Sequence, residues 1–281
     1  MVSCIELSSG NMDDFWDRCF PSPSAKSAKL QKWYEMLADK YANVAFTFMN
    51  YGFVENNPDA TPVPLDPAEE EYRHPIQLYH HVVSPVDLRG KKVLEVGSGR
   101  GGGASWVMRN LGPKTLTGVD YSLKAVRLCR KLHSIAGLTF LVAAAENLPF
   151  ESESFDVVIN VESCHGYASQ PRFLSEVLRV LRPEGHLLLA DFHSPVGMNE
   201  FRRLLTGSGF TMADDRNITK NVFLSMEIAH PKMVALIKEH VPGEQQIDFV
   251  SFAGLEGSWI YEGLKRGFAE YASFVLQKPV S

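Results

Sequence analysis

Three polar side chains stand at the ends of apolar runs: Glu95 after KKVL, Asp120 after LTGV, and Asn160 near the end of FDVVINV. Glu95 is followed by V-G-S-G-R-G-G-G, in which Gly97, Gly99 and Gly102 satisfy G-x-G-x-x-G. Glycines there let the backbone bend sharply and let a ligand approach a peptide plane without meeting a Cβ. Asp120, 25 residues beyond Glu95, can accept both hydrogens of a ribose diol, and Tyr121 beside it can stack on a base. Ala145–Glu146 would meet an adenine edge through backbone groups, and Asn160 would turn a carbonyl toward an ammonium. The group suits a nucleotide-like ligand. The glycine pattern alone serves dinucleotide enzymes equally well.

These residues share one ligand only if a parallel sheet brings the strand ends together. From Lys92 the chain alternates strand and helix, the pattern of a parallel sheet with right-handed crossovers. Strands are predicted at Val93–Val96, Leu116–Asp120, Leu138–Ala144, Phe155–Val161 and His186–Phe192, with helices at Ala104–Asn110, after Ser122, and at Pro171–Leu181. Ser122 can cap its helix. Phe155–Val161, almost wholly apolar, reads as buried on both faces. Beyond it come a helix at Asn199–Ser208, a sixth strand at Phe210–Ile218 and a last strand at Tyr271–Lys278. Two helices between them, Asn221–Val241 and Phe252–Arg266, exceed what a sheet connection needs and are read as a lid.

Residues 1–88 read as a helical cap and loop, 89–220 as the cofactor-binding core, and 221–281 as lid helices with the final strand, all in one integrated domain. The cap carries Phe15, Trp16, Phe20, Trp33, Tyr34, Tyr41, Phe46 and Phe48, with Pro21 and Pro23 separating two helices. Residues Tyr51 to Glu70 hold four prolines and read as a loop. A helix then ends near Pro85, setting Tyr79 and His80 near the mouth of the glycine turn.

The 281 residues, 45% hydrophobic and 22% charged, describe an ordinary globular chain with enough length for a large core. A formal charge of −5 argues against a nucleic-acid partner held through phosphates. Arg127, Arg130 and Lys131 fall at helical spacing and read as a solvated face. Cys4, Cys19, Cys129 and Cys164 form no C-x-x-C pair, so no metal and a reducing compartment are expected. The start lacks a basic, then apolar, leader, and no apolar run approaches the ~20 residues that span a bilayer. A cytoplasmic protein without stable membrane insertion is expected, with the cap as the surface for any oligomer.

The segments GKKVLEVGSGRGGGAS, GVD, AENLPF, FDVVINVES and LRVLRPEGHLLLAD together resemble the class I S-adenosylmethionine-dependent methyltransferases. The subgroup is that of the ubiquinone/menaquinone and sterol methyltransferases, and within it the likeness leans toward lipid O-methyltransferases. It runs from about Asn56 to the C-terminus, closely over five strands and loosely after them. It implies an α/β fold with a Rossmann-like, seven-stranded, mostly parallel sheet, helices on both faces, a helical N-terminal cap, and a lid between strands 6 and 7. It implies S-adenosyl-L-methionine as cofactor and S-adenosyl-L-homocysteine as product. Glu95, Gly97, Gly99 and Gly101 would hold the methionine end, Asp120 the ribose, and Tyr121, Ala145 and Glu146 the adenine, with Asn160 offering its carbonyl. Relatives commonly read GDAE where this chain reads Ala143-Ala144-Ala145-Glu146, so Ala144 lacks a carboxylate for the adenine amino group. One missing hydrogen bond costs about 1 kcal/mol.

A hydroxyl acceptor loses a proton as it takes a methyl group, so a general base helps. His165, just past the fourth strand, is the leading candidate, and Asp191, ending the fifth, would fix its tautomer and stabilise its charged form. His193 is the second candidate. The expected activity is O-methylation of a hydrophobic small molecule, a lipid or polyketide-like secondary metabolite. Carbon methylation is the alternative within the subgroup, then nitrogen methylation. Outside it stand a nicotinamide oxidoreductase, which lacks its Tyr-x-x-x-Lys pair here, and a non-catalytic or cyclase-like protein.

Overall fold

The computed structural model describes residues 23–42, 46–57 and 59–280. The aromatic residues Phe15, Trp16 and Phe20, the proline break at Pro21, and Cys4 and Cys19 lie outside that range. A seven-stranded sheet has the order β3-β2-β1-β4-β5-β7-β6. Its strands are β1 (Lys92–Val96), β2 (Thr115–Asp120), β3 (Leu138–Val142), β4 (Phe155–Val161), β5 (Leu181–His193), β6 (Thr211–Asn217) and β7 (Glu270–Gln277). The first five pair in parallel, and β7 runs antiparallel between β5 and β6. The order reverses at β1, with β2 on one side and β4 on the other. Such a switch point is where open α/β sheets form a ligand crevice.

Helices α1 (Pro23–Lys40), α2 (Arg73–Val83), α3 (Gly102–Asn110), α4 (Leu123–Leu132), α5 (Gln170–Val180) and α6 (Pro195–Gly207) accompany the sheet. Every residue of β4 except Asp156 is buried, as expected of a strand covered on both faces. On α4 the buried residues are Ala125, Val126, Leu128 and Cys129, leaving Arg127, Arg130 and Lys131 exposed. Ser122 Oγ accepts from Ala125 N–H and caps that helix.

The connection from β6 to β7 holds α7 (Thr219–His240), α8 (Gln246–Phe252) and α9 (Trp259–Arg266). The helix expected over Phe252–Arg266 is therefore split. Gly254 and Gly257 adopt φ of 64° and 85° between α8 and α9, a region that ends helices and favours glycine. At the third strand the expected Ala143 and Ala144 leave the ladder, where Ala144 bridges Asn147. No helix among the described residues is long and apolar enough to cross a membrane.

Candidate active site

The turn after β1 is bent by three glycines in the left-handed region: Gly97, Gly99 and Gly101, at φ of 79°, 53° and 77°. Gly97 has a second constraint, since a Cβ there would lie 1.9 Å from Ser163 Oγ. The N–H groups of Gly97 and Ser98 donate to Val119 O across the switch point. Gly99 N–H donates to Asp120 Oδ2 at 2.9 Å and Ser122 N–H to Oδ1 at 2.8 Å, so the Asp120 carboxyl is fixed between the turn and α4. Burial pushes its pKa up to about 6 against these hydrogen bonds, which lower it.

A cavity of about 370 Å³ opens above the turn. Its walls are the turn itself, Val119–Ser122, Ala143–Glu146 and the segment from Val161 to Ala168. The cover comes from Leu30 and Tyr34 on α1 and from the strap Thr47–Asn50. The β6–β7 helices do not contribute to this wall among the described residues; they stand over a neighbouring cavity. Tyr121 is exposed at the rim, Ala145 is buried, and Glu146 Oε1 accepts from Ser169 N–H at 3.2 Å. Tyr79 lines the cavity, whereas His80 packs its ring on Trp106 and stays out of it.

Glu95 and Asn160 lie just behind the lining. Glu95 Oε1 accepts from Tyr79 OH at 2.8 Å, while Oε2 is buried without a partner. Burial pushes its pKa up to about 8, opposed by the Tyr79 hydrogen bond and assisted by the Asp120 charge. Asn160 Nδ2 donates to Val96 O and Tyr167 OH, leaving Oδ1 buried without a partner, as is Ser98 Oγ. Three buried oxygens with unused acceptor capacity around one turn fit a ligand that brings N–H donors, such as an ammonium. With the Asp120 carboxyl held beside them, the residues suit an adenosyl amino-acid cofactor.

The register Val161↔Ala190 carries the ends of β4 and β5 to the same height. A one-turn helix, Cys164–Gly166, then brings His165 over Asp191. His165 Nδ1 lies 2.7 Å from Asp191 Oδ1, and the imidazole lines the cavity. Asp191 is fully buried and also accepts from the N–H groups of His165 and Phe192 and from Cys164 Sγ. Burial alone would raise its pKa; the His165 imidazole and these donors outweigh it and hold the carboxyl well below the usual range. An ionised Asp191 keeps the proton of a neutral imidazole on Nδ1 and makes Nε2 the basic nitrogen. His193 instead packs on Phe201 at 4.7 Å, away from the cavity wall.

Glu162 was not anticipated. It follows β4 with φ of 47°, costly for a residue with a side chain and a mark of functional segments. Its Oε1 accepts from Tyr51 N–H and Tyr271 OH, each at 2.8 Å, and its side chain lines the cavity. Burial pushes its pKa up to about 8, against both hydrogen bonds, with the Asp191 charge adding to the rise. The available signal was a carboxylate ending the apolar run of β4, the same signal that marked Asp120.

A methyltransferase-domain family model matches residues 94–189. Over 246 residues the chain is 37% identical to the phthiotriol/phenolphthiotriol dimycocerosates methyltransferase of Mycobacterium leprae (strain TN), covering 88% of this chain and 90% of that one. It is 38% identical over 232 residues to the fatty-acid O-methyltransferase of Mycolicibacterium smegmatis, covering 83% of each. Among solved structures, the 4+2 cyclase SpnF superposes with a TM-score of 0.71 at 20% identity, over 91% of this chain and 97% of that one. At that identity the likeness speaks for the fold alone.

Proposed function

This chain belongs to the S-adenosylmethionine-dependent methyltransferases, and from that premise we propose that it methylates a hydroxyl of a hydrophobic small molecule, with His165 as general base and Asp191 as the residue that positions it. One observation carries the reading: the His165 imidazole, in the wall of the cofactor cavity, is held at 2.7 Å by the buried carboxylate of Asp191. Bound S-adenosylmethionine supplies an electrophilic methyl group on sulfur. The chain must then orient the acceptor oxygen, exclude water and take up one proton. Gly97–Gly101, Asp120 and the oxygens of Glu95, Ser98 and Asn160 bind and orient the cofactor. His165 Nε2 receives the hydroxyl proton, and Asp191 stabilises the imidazolium that results. Tyr34, Phe48 and Met49 cover the cavity and keep water out. The hydrophobic acceptor is further supported by the names of the two relatives above, which give phthiotriol/phenolphthiotriol dimycocerosates and a fatty acid as what they act on.

Carbon methylation has one observation in its favour. The Tyr34 ring and the Glu162 carboxyl both belong to the cavity wall, an arrangement able to stabilise a passing cation. Incubation with cofactor carrying a labelled methyl group and a panel of long-chain alcohols, phenols and alkenes decides between them. A labelled methyl ether supports the oxygen reading; label bound only to carbon overturns it.

A further inference from the structure

A second cavity, of about 400 Å³, lies on the other side of the strap. Phe48, Met49, Asn50 and Arg100 belong to the walls of both cavities. Glu70–Pro75 forms one side of the remaining wall, and α7 and α8 supply its apolar side, including Met226, Met233, Phe249 and Phe252. Thioethers and aromatic rings make a surface that adapts to a flexible chain.

One polar group does not belong with such walls. Arg100 is 3% exposed, and its Nη2 donates to the carbonyls of Tyr41 and Ala42. Its Nε and Nη1 donors are buried and meet no acceptor. A buried guanidinium with unused donors is costly unless an anion completes it. The other charged residues of this wall are already matched. Arg73 Nε donates to Glu70 at 2.8 Å, Lys232 lies 3.5 Å from Glu71, and burial together with Arg73 lowers the pKa of His74. The positive charge available to a ligand is that of Arg100, which stands between the two cavities, bonded to the Tyr41 carbonyl and sharing the second cavity's wall with Phe249.

We propose that the second cavity binds a long-chain carboxylate, with the anion on the Nε and Nη1 of Arg100 and the aliphatic chain along Met226, Met233, Phe249 and Phe252. A planar guanidinium offering two parallel N–H groups matches a carboxylate bidentately. The acceptor would then carry a carboxylate as well as the hydroxyl that is methylated, rather than being a neutral lipid. The inference builds on the hydrophobic-acceptor reading, but it is tested by binding without turnover, so an error in the base assignment leaves it standing.

The probe is cis-parinaric acid, a fluorescent fatty acid, compared with its uncharged methyl ester on the full chain. The acid is expected to saturate one site and to bind at least tenfold tighter than the ester. Ala229→Trp, which fills the cavity from α7, should abolish acid binding while S-adenosylhomocysteine affinity persists. Arg100→Met should erase the preference for acid over ester and weaken S-adenosylhomocysteine less than it weakens the acid. Equal affinity for acid and ester in the unmodified chain overturns the proposal, as does unchanged binding in Ala229→Trp. If Arg100→Met loses S-adenosylhomocysteine and leaves the acid untouched, the guanidinium serves the cofactor's carboxylate and the proposal fails. Should Arg100→Met not fold, the acid–ester comparison and Ala229→Trp still decide.

Discussion

Tyr51 donates its backbone N–H to Glu162 Oε1 at 2.8 Å, across 111 residues of sequence. The bond ties the strap to the strand end that carries the His165–Asp191 pair. Ser225 Oγ on α7 holds the other side of the same residue, donating to Tyr51 O at 2.8 Å. Glu162→Ala should therefore release the strap: amide exchange at Thr47–Tyr51 should rise and the KM for the acceptor should increase. Glu162→Gln keeps an oxygen for both donors and should stay near the unmodified chain. Identical exchange in Glu162→Ala would show that packing alone holds the strap.

Removing the base is expected to lower turnover by about 100- to 10,000-fold. His165→Ala should do so while S-adenosylhomocysteine affinity stays close to normal. Asp191→Asn should be slow as well, because an amide can support the other tautomer and cannot stabilise the imidazolium. The double variant should be no slower than the worse single one, since both residues serve one proton transfer. Near-normal turnover of His165→Ala on the true acceptor would discard the assignment.

Cofactor binding isolates a different set of residues. Asp120→Ala removes a charged acceptor from the diol and from Gly99 N–H, and hydrogen bonds to charged groups are worth roughly 1.5–3 kcal/mol. S-adenosylhomocysteine affinity by calorimetry should fall about 10- to 100-fold. Ala144→Asp restores the carboxylate common among relatives at a partly open position and should leave affinity equal or better. Collapse of binding in Ala144→Asp would mean that this wall packs against something other than adenine.

Stability should depend on pH in an unusual direction for carboxylates. Glu95 and Glu162 rise to about 8 in the folded chain, both chiefly through burial, from an ordinary value near 4.5. Between those limits the folded state holds protons that the unfolded state has lost, so unfolding releases them. Their contribution is complete below pH 4.5 and is lost as pH rises through 8. The melting temperature without cofactor should therefore fall from pH 5 to pH 8, and Glu95→Gln should flatten the slope. Asp191 works in the opposite sense, stabilising above the usual carboxylate range and failing in acid.

Amide exchange should separate the two covers. S-adenosylhomocysteine should protect α1, whose Leu30 and Tyr34 line the cofactor cavity, more than α7 and α8. Parinaric acid should protect α7 and α8, which wall the second cavity. Without ligand, α7 and α8 should exchange faster than β1 and β4, since gating elements come from the less stable parts of a fold. Protection of α7 and α8 equal to that of the central strands would make them a fixed wall.

The amino-acid sequence by itself determined the alternation of β1 to β5, the glycine turn, and the strand-end positions of Asp120, His165 and Asp191. Those features are local: apolar runs, turn residues and their spacing act over a few positions, and a parallel sheet then aligns strand ends automatically. Only the tertiary structure decided that His165, and not His193, meets the cavity, because a one-turn helix folds one inward while Phe201 holds the other away. It also decided that α1 and the strap cover the cofactor cavity, and that Gly254 and Gly257 divide the expected lid helix. Glu162 and Arg100 belong to the same class. Their significance rests on burial and on hydrogen bonds made or left unmade with distant segments, quantities that exist only once Tyr51, Tyr271, Tyr41 and the second cavity surround them.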